Sequence, residues 1–174
     1  MKKLIVLALL ATLAGGAYAS SVAVPWFVDF AAESSTIPAG SGMFGLQLSS
    51  YIYLKNNTEG DPDGDGTAGL QCAIVYTTAG GDDMTPVANT FTIAPNAAIA
   101  FRPFRDDDTE APLGLVPNCL AVDEGRVLTD PLPAGSATVI WPGESADVQG
   151  FVITYDGKIS GVSSYLLPPG ASTP

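Results

Sequence analysis

Short β-branched and aromatic runs alternate with clusters of Gly, Pro, Asn and Asp along almost the whole chain, and nothing after residue 20 carries an amphipathic helical period. That rhythm restricts the fold more than any other feature. Period-two runs bounded by turn residues are strands, and about eight of them cannot bury their apolar sides except against one another. Expected strands cover residues 21–30, 45–55, 70–78, 90–94, 98–104, 120–122, 137–141, 148–155 and 158–166. Tyr51-Ile52-Tyr53-Leu54 and Phe151-Val152-Ile153-Thr154-Tyr155 have the strongest β chemistry. Pro103 lacks the N–H that a sheet interior requires, so the run ending near it belongs to an edge or a bulge. Ala94-Pro95-Asn96 and Asp156-Gly157 are turn sequences. The expectation is an antiparallel β-sandwich of immunoglobulin-like or jelly-roll type. Strand order is not legible at this level.

The first nineteen residues have a different character. Met1-Lys2-Lys3 is basic, 4–13 is apolar, and Ala17-Tyr18-Ala19 has the small-x-small form of a secretory cleavage site. The apolar stretch is short for a membrane span. A signal peptide over residues 1–19, one β-sandwich domain over 20–167 and a disordered Pro-rich tail over 168–174 are expected. The location implied is secreted, periplasmic or extracellular. Cleavage after Ala19 would remove Lys2 and Lys3 and take the formal charge from −11 to −13. Such a chain repels nucleic acid and anionic membranes, which need clustered Lys or Arg.

An oxidising compartment would leave Cys72 and Cys119 one possible pairing, closing a loop of some 47 residues. A relaxed bridge there is worth roughly 4 kcal/mol in the chain-entropy picture. Histidine is absent from all 174 residues. That excludes Ser-His-Asp and Cys-His catalysis and imidazole-based zinc sites.

One segment carries metal chemistry in its spacing. Asp61-Pro62-Asp63-Gly64-Asp65-Gly66-Thr67 resembles the first half of a calcium loop of the EF-hand kind. The resemblance implies side-chain ligands at Asp61, Asp63 and Asp65 and a carbonyl ligand at Thr67. The twelfth position, where a bidentate acid would stand, is Cys72, and no helix flanks the loop. Calcium is thus a candidate cofactor and the only one. Against it stands a solvated turn, since Asp, Gly and Pro are turn residues in any case. Two further acidic runs, Asp82-Asp83 and 106–110, are candidates for a second cation cluster or, by default, solvated charge.

The aromatic residues Trp26, Phe27, Trp141, Tyr51, Tyr53, Tyr155 and Tyr165 are candidates for stacking on sugar rings, although an aromatic within an apolar strand is usually core. Tyr51 and Tyr53 share one face of their run while Ile52 and Leu54 share the other. Catalysis has little support. Gly143-Glu144-Ser145-Ala146-Asp147 falls short of a nucleophile elbow, and Lys55 and Lys158 stand in no Ser-Lys motif. The sequon Asn56-Asn57-Thr58 lies on an expected loop.

Taken together, these features suggest a non-enzymatic exported protein with a structural, surface-assembly or adhesion role. Its partners would be other surface proteins, itself or glycans. The alternative is a calcium-supported, carbohydrate-binding-like module using Tyr51 and Tyr53.

Overall fold

The computed structural model describes residues 19–28, 48–62, 64–104, 112, 114–119, 134–156 and 162–168. The expected signal segment up to residue 18, the strand at 120–122, the acidic run 106–110 and the tail beyond residue 168 lie outside them. The elements are β1 (Ala19–Val28), β2 (Leu48–Asn56), β3 (Leu70–Thr78), β4 (Thr90–Ile93), β5 (Ala98–Phe101), β6 (Ala134–Pro142), β7 (Val148–Asp156) and β8 (Val162–Leu167). A 3-10 turn, Ser145–Asp147, joins β6 to β7.

All eight strands pair antiparallel and form two four-stranded sheets. Sheet I has the order β1-β6-β3-β4 and sheet II the order β5-β2-β7-β8. Period-two alternation sends one set of side chains from each strand into a shared interior. Sheet I contributes Val22, Val24, Leu70, Ile74, Tyr76, Val139 and Trp141, while sheet II contributes Ile52, Leu54, Ile99, Phe101, Val148 and Val152. The arrangement is all-β and sandwich-like. Gly150 of β7 sits where a Cβ would come within 2.9 Å of both Leu54 and Leu167, so close packing requires glycine there.

The two sheets are also tied by polar contacts. In β1 the register shifts between Val24 and Phe27, a bulge beside Pro25. Beyond it the Val28 N–H donates to Ser50 Oγ at 3.1 Å, and Ser50 Oγ lies 3.0 Å from Thr154 Oγ1. The Tyr165 hydroxyl donates to the Trp26 carbonyl. Thus β1 pairs with β6 on both sides of the bulge, and its far end is also tied to sheet II.

β2 pairs with β5 and β7, and β3 pairs with β4 and β6, so the long connection between them crosses from one sheet to the other. One expectation needs correcting: there is no disulfide, because Cys72 and Cys119 are both buried and are not bonded to each other. Cys72 faces the core from the middle of β3, with its Sγ 3.7 Å from the Leu70 carbonyl. The Cys119 N–H is fixed to the Pro103 carbonyl at 2.7 Å. The bridge had been inferred because no other pairing exists. Bonding also requires Cα atoms within reach and Cβ vectors that converge, and a count of cysteines cannot supply that.

Candidate functional site

Two regions gather the residues that the sequence singles out. The first is the end of the molecule where β2 stops. Asn56 is the last residue of β2 and is fully buried. Its Nδ2 donates to the Ile93 carbonyl at 2.9 Å and to the Ala94 carbonyl at 3.2 Å. Its Oδ1 accepts from Thr58 N at 2.8 Å and from Thr58 Oγ1 at 2.7 Å. A side-chain amide has two donor hydrogens and two acceptor lone pairs, so its capacity is filled. The neighbouring Asn57 donates its N–H to the Asp147 carbonyl at 2.8 Å and its Nδ2 to the Ala146 carbonyl at 3.0 Å. The sequon therefore binds the β4–β5 and β6–β7 connections to the end of β2. Its amide nitrogen is engaged and enclosed, and modification of the folded protein there is excluded by geometry.

The Asp-rich loop projects from the same end. Asp61 Oδ1 accepts from Gly64 N at 2.7 Å and Asp65 N at 3.2 Å, and Oδ2 accepts from Gly66 N at 2.8 Å. Asp65 Oδ1 in turn accepts from Thr67 N at 2.6 Å. Gly64 and Gly66 make this possible, with φ of 70° and 88° in the left-handed region. Successive N–H groups converge on one carboxylate, as they do in backbone anion nests. The Asp61 side chain thus organises its own turn. Asp63, the middle ligand of the calcium pattern, lies outside the described residues. Among the described residues no group of three or more Asp, Glu or Cys side chains is placed to hold a metal ion. Asp82 and Asp83 sit beyond the far end of β3. There the Asp82 N–H donates to Thr78 Oγ1 and Asp83 Oδ1 accepts from Thr85 N, which again closes a turn.

Glu144-Ser145-Ala146-Asp147 is structural by the same criterion. Asp147 Oδ2 accepts the Glu144 N–H at 2.7 Å, and the Glu144 carbonyl accepts Trp141 Nε1 at 2.9 Å. Trp141 itself is fully buried.

The second region is the outer face of sheet II. Register places Tyr53 of β2 opposite Ala100 of β5 on one side and Phe151 of β7 on the other, and Phe151 opposite Leu166 of β8. Tyr51, Ile153 and Ser164 form the adjoining row. Tyr53 and Phe151 stack face to face, centroids 4.6 Å apart and planes within 2°. Phe151 is 36% exposed and Leu166 82% exposed. Trp26, at the β1 bulge, is 50% exposed. The outer face of sheet I mixes Ser21, Ser136, Thr138, Gln71, Thr77, Thr90 and Thr92 with Val75 and Ile140. Among the described residues Trp26, on the β1 edge, is its one exposed aromatic ring.

Of the aromatic candidates, then, Phe27 and Trp141 are core, while Tyr51 and Tyr53 are half-buried on an outer face. Tyr165 is half-buried, and burial pushes its phenol above the ordinary tyrosine range. Phe151 and Leu166 were not singled out by the sequence. The missed signal was cross-strand register, which cannot be read before strand order is known. Comparison of the chain with protein-family models, with curated proteins and with solved structures finds no match.

Proposed function

We propose that this is a non-enzymatic exported protein that works through its surfaces, in assembly or adhesion, with the outer face of sheet II as the contact region. One observation carries the reading: Tyr53, Phe151 and Leu166 form an apolar row across β2, β7 and β8, on a face that bears no acid among the described residues. In a chain with eighteen acidic residues, an aromatic face without them marks a place where water is to be displaced. Partners on this reading are surface proteins or further copies of the chain. The exported location rests on the basic, apolar, small-x-small order of residues 1–19. The strand order departs from that of an immunoglobulin domain, which pairs its first two strands within one sheet, whereas β1 and β2 lie in different sheets here.

Phe151→Lys tests the reading, because it changes the face without touching the interior. It should retain the melting temperature within a few degrees and abolish association with immobilised wild-type protein or with a partner surface. A wild-type protein that associates with neither, matched by an unchanged variant, would overturn it.

The second reading is a calcium-supported, carbohydrate-binding-like module. The outward-facing rings of half-buried Tyr53 and exposed Phe151 favour it, since such rings suit sugar faces. Their mutual stacking weakens it, because each ring covers one face of the other. Asp61, Asp63, Asp65 and Thr67 would be the calcium ligands on this reading. Glycan retention that requires calcium and is lost in Tyr53→Ala would establish it.

A further inference from the structure

We propose that the amino group freed when the chain is cut after Ala19 becomes a structural part of the molecule, docked at the β6–β7 turn with Asp147 as its counter-charge. This rests on the exported reading and adds what the new terminus does.

The cut falls at the end of a strand ladder. Ala19 pairs with Pro142 and Ser20 with Trp141. β6 stops at Pro142, which has no N–H to give, and Gly143 then turns the chain away with a φ of 120°. Ser20 is the first inward-facing residue of β1, before Val22 and Val24, and all three are fully buried. Its Oγ donates to the Gly143 carbonyl at 2.6 Å. The first residue left by the cut is thus already fastened into the core. A peptidase must reach both sides of the bond that it cuts, so cleavage comes before β1 takes its place against β6.

Hydrolysis of the Ala19–Ser20 bond consumes one water, leaves a carboxyl on Ala19 and an amine on Ser20, and that amine is mostly protonated at neutral pH. An ammonium group on a buried residue is costly unless acceptors and an opposite charge stand beside it. The β6–β7 turn supplies both. The Gly143 carbonyl holds Ser20, and a Cβ on Gly143 would run into Asp147 Oδ2, so the carboxylate lies directly against the residue that fastens the terminus. Asp147 is itself fixed in place. Its Oδ2 accepts the Glu144 N–H at 2.7 Å, its own N–H donates to the Glu144 carbonyl at 3.1 Å, and its carbonyl accepts the Asn57 N–H at 2.8 Å. Glu144 brings a second acid to the same turn. A carboxylate ordered in advance avoids the entropy cost that makes most surface ion pairs weak.

The full chain, produced in an export-competent bacterial host, should yield a protein that starts at Ser20. Retention of the uncut chain would refute the exported reading. Export with a cut elsewhere would refute only the docked terminus. In the protein that starts at Ser20, the amine is then acetylated in urea at pH ~6.5, where lysine stays protonated, and the chain is refolded. Acetylation removes the charge and restores a carbonyl where Ala19 had one, so β1 keeps its pairing. It should lower the melting temperature of wild type by about 2–4 °C, and that of Asp147→Asn by less than ~1 °C. Asp147→Asn keeps an oxygen for the Glu144 N–H and loses only the charge. Equal shifts in the two proteins overturn the docking. So does an acetylated wild type that melts no lower than the free form, an outcome that decides even if the variant does not fold. A folded, uncut chain should also resist purified signal peptidase, and ready cutting would show that Ser20 is not enclosed and overturn the proposal as well.

Discussion

At the Asn56 end of the molecule, the polar side chains close on backbone groups of their own chain: Asn56 on the β4–β5 turn, Asn57 on the β6–β7 turn, Asp61 on the loop that follows it. On the outer face of sheet II, Phe151 and Leu166 have no such enclosure and face outward. The loop end has the recognisable chemistry of a sequon and half a calcium motif, and that chemistry is used internally to hold three connections together. The sheet face has no motif at all, yet it is the surface left open. A polar group that has already found its partners has little to offer a ligand, whereas exposed apolar area gains whenever it is covered.

Asn56→Ala should produce the largest effect. It leaves the Ile93 and Ala94 carbonyls and the Thr58 N–H without their partner in an enclosed position, at about 3–5 kcal/mol. For a chain of this size the melting temperature should fall by roughly 10 °C. A loss below about 1 kcal/mol would break the comparison, because the loop end would then not be closed on itself.

Asp61→Ala removes an acceptor of three N–H groups in an exposed loop and should cost about 1–2 kcal/mol. Wild type should melt at the same temperature in EDTA and in calcium. A calcium-specific rise that Asp61→Ala abolishes would reopen the loop as a binding site, by linkage. Phe151→Lys should cost about 1 kcal/mol, the loss of one stacked cross-strand pair, while removing association altogether. A large loss of stability instead would make Phe151 part of the core rather than of a contact surface.

Tyr165→Phe should change alkaline sensitivity and little else. Burial raises the folded-state phenol above its unfolded value, so its contribution is intact below pH ~10 and is lost as pH rises through the folded value. The variant should therefore lose less stability than wild type above that pH. Indistinguishable alkaline melting curves would mean that the Tyr165 ring is not held buried in solution. Addition of reductant should have no effect on melting, since Cys72 and Cys119 are not bonded. A fall would restore the bridge.

The strands were legible wherever period two and β chemistry agreed. β3 has the expected bounds, and β2, β5 and β7 differ from theirs by a few residues, mostly at one end. β6 starts at Ala134, three residues before the expected run, because Gly135 passes too close to the Thr77 carbonyl for any side chain, and β propensity does not anticipate such a contact. Pairing was not legible. Neighbours in sequence are mostly not neighbours in space: of the consecutive described strands only β3–β4 and β7–β8 pair. The site inherited that gap. Tyr51 and Tyr53 could be assigned to one face from their spacing alone, but Phe151 and Leu166 join them only through register. The Asp61 loop could be recognised as a carboxylate cluster, but which N–H groups its oxygens accept depends on the φ values of Gly64 and Gly66.

The strand order also imposes a timetable on a chain that emerges N-terminus first. The one partner of β1 is β6, which begins at residue 134, and β2 waits for β5 at residue 98 and β7 at residue 148. Among the described strands, only β3–β4 and then β2–β5 can pair before β6 is made, so neither sheet is complete until β6, β7 and β8 follow.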